Sequence, residues 1–314
     1  MLKEYVLASD RIELGIIPEF GCHWTFLKVR VRGSWQDLLY PVPRSPWPDP
    51  KKWGRYGNYL LAPWSNRVKK GIFRFRGREY RLRMNMPDKT AIHGDVMTRP
   101  WKVLSVDSNA IEAELDSVHF PDFNFPFRFH YRLSLRVEDS RVTAGAWVTN
   151  RDAQDAPAGL GFHPYFKRRL TSADGDVVLG IPAEKVYPAR RCIPLAPAVP
   201  VTGLRDLRET ARLGKRGLDD CYTDRGPAPV RFLYPGSRVS VEMRMDPVFS
   251  HIVVYAPDTW RGWGPPRPFF CVEPVTHAND GFNLLERGWE KTGVKVLSPG
   301  ETWGGSFEMS ISQG

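Results

Sequence analysis

A long alternation of apolar and polar residues between Phe123 and Val137 constrains the fold of this chain more than any other feature. Every odd-numbered residue of this segment is apolar, whereas most of the even-numbered residues are polar or charged. Successive side chains of a β-strand point to opposite faces, so the pattern predicts a strand with one buried and one solvated face. We expect either one long strand or two strands with a kink at Pro126.

The same alternation recurs along the chain, while segments with a helical period are scarce. Apolar and basic residues alternate on both sides of Gly77, which predicts a hairpin with one solvated and one buried face. The arginines lie on the solvated face, and the buried face carries Phe73, Phe75, Tyr80, Leu82 and Met84. The best helix candidate is the short segment Leu204–Leu213. Further strands are predicted at Ile111–Leu115, Val142–Val148, Val230–Leu233, Val239–Met245, His251–Tyr255, Val294–Leu297 and Ser306–Ile311.

Length and composition favour an all-β protein built as one large unit. The chain has 314 residues, and its 28 prolines and 27 glycines are spread along it, as expected for many short strands joined by turns. No internal repeat or clear linker interrupts the pattern. We therefore predict a large single-domain antiparallel β-sandwich that spans residues 1–314.

The formal charge of +10 raises the question of a nucleic-acid partner. The densest basic segment, residues 67–83, has its arginines on the solvated face of the predicted hairpin, and no nucleic-acid-binding motif accompanies it. We therefore expect no nucleic-acid partner. A basic rim that attracts anionic substrates remains open.

The remaining bulk features point to a cytoplasmic protein without a metal or other cofactor. The four cysteines are far apart in sequence, which indicates buried free thiols and neither a zinc site nor a disulfide framework. The N-terminal segment lacks the apolar core of a signal peptide, and no stretch is apolar enough to span a bilayer. The oligomeric state, monomer or homodimer, is left open.

Glu273 is the first candidate for chemistry. It ends the apolar run Phe269–Val272, which predicts a buried strand, and it precedes a loop rich in Pro, Asn and Gly. A carboxylate at the end of a buried strand costs free energy unless it is paired or used. Strand ends that open into loops are also where rigid scaffolds present functional groups.

Four other segments carry polar candidates, each with a simpler structural interpretation. Asn66 and Arg67 precede the basic hairpin, where a capping residue and a surface cation are the simpler interpretation. His93 stands before a glycine, where it would simply be a turn residue. His163 lies in an apolar, aromatic run, where a satisfied core histidine is the more common case. Asp219 and Asp220 are typical of a solvated turn. Together with Glu273, these residues would suffice for acid–base chemistry on a polyhydroxylated substrate without a metal.

Five short segments, in the same order, resemble those of the aldose 1-epimerase (galactose mutarotase) family. The first reads N-R-V-x-x-G-x-F-x-x-x-G-x-x-Y-x-L and is followed by I-H-G. Next come H-P-Y-F, L-D-D-C-Y, V-E-P-V-T-H and L-S-P-G-E-T-W. These segments are Asn66–Leu82 with Ile92–Gly94, His163–Phe166, Leu218–Tyr222, Val272–His277 and Leu297–Trp303.

The resemblance implies a galactose mutarotase-like β-sandwich and a mechanism that interconverts sugar anomers. Glu273 would be the general base that deprotonates the C1 hydroxyl, and His163 the general acid that protonates the ring oxygen. The two groups are expected to face each other across one sugar-sized cavity. The residues implied to bind the sugar are Asn66, Arg67, His93 and Asp219, with Trp64 as a stacking or a core residue.

Two departures from the family pattern leave the substrate open. The segment after His93 is short, and His277 lies four positions after Glu273, where three are expected, so no role is assigned to His277. Three functions are therefore considered: a mutarotase for a neutral aldose, an epimerase for a phosphosugar or sulfosugar, and a catalytically silent sugar-binding protein. The anionic alternative is motivated by the net charge and the arginines Arg99, Arg190 and Arg191.

Overall fold

The computed structural model describes residues 2–43, 56–258 and 267–314, and these residues form an almost entirely β structure. One α-helix, α1, spans Gly281–Glu286. Single 3-10 turns lie at Pro18–Phe20, Lys69–Gly71, Val96–Thr98, Ser117–His119 and Gly203–Arg205. The strands are β1 Tyr5–Ala8, β2 Ile12–Ile17, β3 His23–Val31, β4 Ser34–Asp37, β5 Leu60–Leu61, β6 Arg67–Val68, β7 Ile72–Phe75, β8 Arg78–Arg81, β9 Ala91–Ile92, β10 Lys102–Val106, β11 Ala110–Asp116, β12 Phe129–Glu138, β13 Arg141–Asn150, β14 Ala156–Ala158, β15 Gly161–Phe162, β16 Tyr165–Lys167, β17 Val178–Gly180, β18 Ala183–Val186, β19 Ala189–Arg190, β20 Ile193–Pro194, β21 Val199–Pro200, β22 Ala211–Arg212, β23 Leu218–Arg225, β24 Val230–Tyr234, β25 Val239–Met245, β26 His251–Ala256, β27 Phe269–Val275, β28 Lys295–Leu297 and β29 Thr302–Gln313.

Two large antiparallel sheets form the sandwich. A nine-stranded sheet has the order β10-β11-β12-β13-β29-β25-β24-β17-β22, and an eight-stranded sheet has the order β21-β18-β23-β26-β27-β15-β5, with β16 also paired to β27. Their inner faces meet in an aromatic core, where the ring of Phe162 lies 5.0 Å from Phe307 and that of Phe232 lies 5.6 Å from Phe270. The all-β sandwich predicted from the alternation is therefore confirmed.

The outer face of the eight-stranded sheet carries a second, smaller buried cluster. Cys221, Val253 and Cys271 from three adjacent strands belong to it, together with Tyr59 and Tyr165. Because side chains alternate along each strand, the neighbouring residues of these strands pack into the sandwich core instead. This outer face is where the polar candidates meet.

Two predicted elements are only partly correct. The basic hairpin forms as β7 and β8 around Gly77, but Met84, predicted on its buried face, is exposed. In the long alternation, only Phe129–Glu138 is a strand; the preceding residues turn, with Phe125 bonded to the carbonyl of Phe123. Phe123 packs against the core and Phe125 and Phe127 are buried within it, so hydrophobic burial holds without strand pairing.

The predicted helix at Leu204–Leu213 is wrong. The segment contains a 3-10 turn and the two-residue strand Ala211–Arg212. Leu207 and Leu213 are buried, and their main chains bond to Ile181 and Val177, the residues on either side of β17. Tertiary contacts therefore outweigh the helical spacing of the leucines.

Among the described residues, no helix is long and apolar enough to cross a membrane.

Candidate active site

Strand register brings Glu273 and His163 together. Gly161 pairs with Val275 and Tyr165 pairs with Cys271, so that His163, between the short strands β15 and β16, lies opposite Glu273 on β27. The two-residue interruption at His163 and Pro164 separates β15 from β16. The main-chain amide of His163 donates to the carbonyl of Tyr59, which ties this interruption to the segment before β5.

The two side chains are in direct contact within a buried environment. His163 Nε2 lies 3.3 Å from Glu273 Oε1, and the two residues are only 5% and 1% exposed. The imidazole stacks on Tyr165 with ring centroids 4.6 Å apart. Glu273 Oε2 has no hydrogen-bond partner among the described residues. The pair therefore lies side by side, and does not face across a cavity as expected from the sequence.

Burial shifts both groups of this pair toward their neutral forms. Desolvation raises the pKa of Glu273 well above its usual range; the Asp219 carboxylate adds to this rise and Arg67 opposes it. Desolvation also lowers the pKa of His163 to about 3. The resting pair is therefore best described as a neutral imidazole beside a protonated carboxyl group, with one proton shared between two bases.

A second imidazole, His93, lies against the first. The ring centroids of His93 and His163 are 5.0 Å apart, in an edge-to-face arrangement. Burial, His163 and Arg67 lower the pKa of His93 well below 6.5, so it is neutral at ordinary pH. The main-chain amide of Asn66 donates to Nδ1 of His93 at 3.2 Å. Since Nδ1 accepts, the ring proton is on Nε2, which has no hydrogen bond to the described residues.

Asn66 also organises Arg67. Its side-chain oxygen Oδ1 accepts from the Arg67 amide at 2.9 Å and from Arg67 Nη1 at 3.3 Å. Arg67 Nε forms an ion pair with Asp88 at 3.2 Å, and the side chain remains partly exposed. Burial opposes the charge of Arg67, but Cys192, Asp219 and Asp88 nevertheless raise its pKa. Asn66 is thus a support for the guanidinium of Arg67.

Asp219 and Asp220 point to opposite faces of β23. Asp219 shares the outer face with Glu273, since Cys221 pairs with Val253 and Val253 with Glu273. Desolvation by the surrounding protein raises the pKa of Asp219, although the side chain keeps solvent access. Asp220 instead forms an ion pair with Arg205 at 2.8 Å. Both aspartates lie in a strand, so the solvated-turn interpretation is wrong.

The structure adds residues that the sequence did not indicate. Cys192 Sγ donates to Asp219 Oδ2 at 3.0 Å, and Asn279 Nδ2 donates to the Cys192 carbonyl at 2.9 Å. Asn279 Oδ1 is buried without a partner among the described residues. The ring of Tyr59 lies 5.1 Å from that of His163. Of the two tyrosines next to His163, Tyr165 belongs to the H-P-Y-F segment, whereas Tyr59 belongs to none of the five segments. Nothing in the sequence links Cys192 to Asp219.

Several predicted features lie outside this site. Trp64 is fully buried and packs against Phe125 in the main core, so it has no face open to a sugar. All four cysteines are free and buried, as predicted. Within residues 2–43, 56–258 and 267–314, no group of His, Cys, Asp and Glu has the arrangement of a metal site.

Comparison with known proteins agrees with this geometry. The sequence model of the aldose 1-epimerase family matches residues 4–310. The chain belongs to the aldose 1-epimerase family. The predicted resemblance, stated from five segments, is thereby confirmed over nearly the whole sequence.

Individual known proteins resemble the chain to different extents. The uncharacterised Escherichia coli protein YphB is 27% identical over 322 residues, which cover 98% of this chain and 97% of YphB. The uncharacterised E. coli protein YihR is 30% identical over 139 residues, but the match covers only 41% of each chain. A galactose mutarotase-like protein from Clostridium acetobutylicum has a similar fold, with a TM-score of 0.82 and 20% identity, covering 100% of this chain and 99% of that one.

Proposed function

We propose that this protein is an aldose 1-epimerase, a mutarotase that interconverts the α and β anomers of a free aldose. The observation that carries the proposal is the buried contact between His163 Nε2 and Glu273 Oε1, with Glu273 Oε2 left without a described partner. Buried ionisable groups with strongly shifted pKa values are common at functional sites. A buried polar atom without a protein partner also suits a site that binds a hydroxylated ligand.

The contact geometry fits the atoms that react. Ring opening requires removal of a proton from the C1 hydroxyl and delivery of a proton to the ring oxygen. Both oxygens are bonded to C1, so the two protein groups that serve them must themselves lie close together. An acid and a base in direct contact meet this requirement, and general acid–base catalysis depends on such positioning.

Ring opening and ring closure each move two protons, one to and one from the acid–base pair. Glu273 as carboxylate takes the proton of the C1 hydroxyl while His163 as imidazolium protonates the ring oxygen, and the C1–O5 bond breaks to give an aldehyde. After rotation about C1–C2, His163 removes the proton of the C5 hydroxyl as that oxygen attacks the other carbonyl face. Glu273 then returns its proton to the C1 oxygen, and the opposite anomer leaves.

The resting pair already holds the proton that this cycle needs. Burial favours the proton on Glu273, and its transfer across 3.3 Å to His163 gives the charged pair that starts the reaction. Arg67 lowers the pKa of Glu273 and so favours that transfer. Both directions of catalysis use the same pair with its roles exchanged, which requires the proton to be mobile between the two groups.

The surrounding polar groups suit the substrate. His93 presents a neutral Nε2–H donor beside His163, and Asp219 presents a carboxylate on the same face as Glu273. Arg67 supplies a guanidinium that is held by Asn66 and Asp88. Charge-assisted hydrogen bonds from such groups fix the orientation of sugar hydroxyls. We propose that Arg67, His93, Asp219 and Asn66 bind the sugar.

Anomer interconversion by polarimetry or NMR on freshly dissolved sugars tests this function. Wild-type protein is expected to accelerate equilibration of at least one sugar in the panel. Glu273→Gln and His163→Gln are each expected to lose roughly 10²–10⁴-fold, the typical contribution of one acid–base group. Sugar binding without acceleration by wild type would instead favour the catalytically silent alternative.

The chain provides a matched control for these variants. His130 Nε2 and Glu114 Oε2 form another His–Glu contact, 3.1 Å apart, on the nine-stranded sheet. His130→Gln and Glu114→Gln should leave the rate unchanged because that pair lies outside the site. Site variants that match wild type would refute the assignment of Glu273 and His163.

A phosphosugar or sulfosugar is the second candidate substrate. Arg99 no longer supports it, because its guanidinium binds Asp95 and Asp122. Arg190 and Arg191 are exposed and have no ion pair to the described residues, and Arg191 directly precedes Cys192 at the site. If the substrate is anionic, millimolar phosphate or sulfate should inhibit turnover and Arg191→Gln should relieve that inhibition. Indifference to both anions would favour a neutral aldose.

A further inference from the structure

We infer that His277 is a positioning residue, which acts through Ser65 and Asn66 to fix the orientation and tautomer of His93. The catalytic consequence of this inference rests on the proposed function. The sequence alone assigned no role to His277, because its spacing from Glu273 departs from the family pattern. Its ring is 1% exposed and lies in the loop directly after β27, the strand that carries Glu273.

The hydrogen bonds of His277 define one tautomer. The main-chain amide of Ser65 donates to His277 Nε2 at 3.1 Å, so Nε2 carries no proton. His277 Nδ1 lies 2.7 Å from the Ala278 carbonyl, to which it must donate. Burial lowers the pKa of His277 to about 4, which keeps the ring neutral at ordinary pH. A protonated ring could not accept from Ser65.

The ring also has little freedom to move. A Cβ atom on Gly159 would lie 1.9 Å from His277 Cδ2, so the imidazole occupies space that only a glycine leaves open. The amide of Gly159 donates to the carbonyl of Pro63, which precedes the residues that His277 supports. The bond to Ser65 is therefore made by a ring that packs directly against the backbone of Gly159.

Ser65 is followed by the residue that binds His93. The Asn66 amide donates to His93 Nδ1 at 3.2 Å, and the His93 amide donates back to the Asn66 carbonyl at 3.0 Å. The sequence of contacts thus runs from His277 to Ser65, along the chain to Asn66, and on to the ring of His93. Since Asn66 fills the acceptor at Nδ1, the donor Nε2–H of His93 remains for the ligand.

This segment needs external support because its backbone is strained. Asn66 and His93 both have left-handed φ angles, of 52° and 67°, which are uncommon outside glycine. Such conformations persist only where the surrounding structure determines them, and they cluster at functional sites. His277 holds one side of the segment, and the Asp280 amide holds the other through the Arg67 carbonyl at 2.7 Å.

The chain from β27 to residue 280 therefore serves the site in two ways. β27 presents Glu273, and residues 277–280 of the following loop hold the segment that presents Arg67 and binds His93. A shift of that segment would move the donor at His93 Nε2 relative to the acid–base pair. A misplaced positioning group of this kind lowers catalysis without removing any catalytic group.

Nitrogen-15 NMR of histidine-labelled wild-type protein tests the tautomers without any assay of activity. At neutral pH the proton is expected on Nδ1 of His277 and on Nε2 of His93, with the two signals assigned through single-histidine variants. The opposite tautomer for either ring, or a mixture, overturns the inference. This result does not depend on whether the protein is a mutarotase.

Two substitutions separate the two hydrogen bonds of His277. Gln at this position can still present an acceptor to Ser65, whereas Asn reaches only as far as Nδ1 and retains the bond to Ala278. His277→Gln should retain most of the wild-type activity. His277→Asn should lower kcat/KM roughly 10–100-fold, the usual effect of losing a residue that orients a site residue without touching the ligand. His277→Asn should also produce mixed tautomers at His93. Equal losses in both variants, with His93 unchanged, would indicate a structural role only.

A double-variant cycle checks that His277 acts through His93. If it does, His277→Asn in a His93→Ala background should reduce kcat/KM less than about twofold further, because the group being positioned is already absent. Additive losses overturn the inference. His130→Gln is the control: it removes a histidine bonded to Glu114 on the nine-stranded sheet and should leave the His93 tautomer unchanged.

Discussion

At the scale of single residues, the decisive feature is that Glu273 and His163 titrate as a buried pair. An isolated histidine has a pKa near 6.5 and an isolated glutamate near 4.5, whereas burial moves the two values in opposite directions here. The pair therefore binds its first proton at unusually high pH and its second at unusually low pH. Across the range between, it holds the single proton that anomer exchange requires.

This titration behaviour predicts the pH dependence of activity. As pH falls from 6.5 to 4.5, kcat/KM should stay level, because His163 with a pKa of about 3 does not yet take a second proton. Activity should fall on the alkaline side, where Glu273 gives up the shared proton. Stopped-flow polarimetry, corrected for the buffer-catalysed rate and accompanied by circular dichroism, measures the profile. An acid limb centred near 6.5 would contradict it.

The sequence was informative about residues to different degrees. Glu273 was found from the apolar strand before it, and His163 from its motif, but their contact depends on a register that no local pattern encodes. Cys192 lies at the turn between β19 and β20 and contacts Asp219 of β23 only because the tertiary fold brings these distant segments together. The assignment of roles to Glu273, His163, Arg67, His93, Asp219 and Asn66 remains a prediction.

At the scale of elements, the site depends on short segments whose backbones approach each other closely. Gly94 follows His93 in a left-handed conformation, with φ of 74°, and forms a bridge to Ala62. A Cβ at Gly94 would lie 1.8 Å from the Ala62 carbonyl oxygen, a backbone atom that cannot move independently. The position of His93 therefore depends on that of Ala62, in the segment directly before Asn66 and Arg67.

Alanine substitutions at two glycines isolate this close approach. Gly77→Ala, at a φ of 76° with nothing within 4 Å of the new Cβ, should cost only the conformational term of about 1–2 kcal/mol in unfolding free energy. Gly94→Ala should cost clearly more, because the collision with Ala62 adds to the same term. Urea denaturation of both variants gives the comparison. Equal losses would mean that the approach of Gly94 to Ala62 is not tight.

At the scale of the whole molecule, period-two alternation was sufficient for the fold class because burial on one face of a sheet imposes it. It did not predict which strands pair, and hydrophobic spacing at Leu204–Leu213 gave the wrong element because isolated leucines pack under a sheet there. Treatment of residues 1–314 as one domain and the cytoplasmic location remain predictions, and the oligomeric state is open. The net charge of +10 leaves the substrate class open.

Interconversion of the anomers of a sugar labelled with oxygen-18 at the C1 hydroxyl tests the central claim most directly, because the fate of the label reports which bond breaks. Ring opening by Glu273 and His163 cleaves the bond between C1 and the ring oxygen, so wild-type protein should equilibrate the anomers while the label stays on C1. Mass spectrometry and NMR on the same sample measure both quantities. Loss of label in step with anomer exchange, or no protein-dependent exchange for any sugar, would contradict the account.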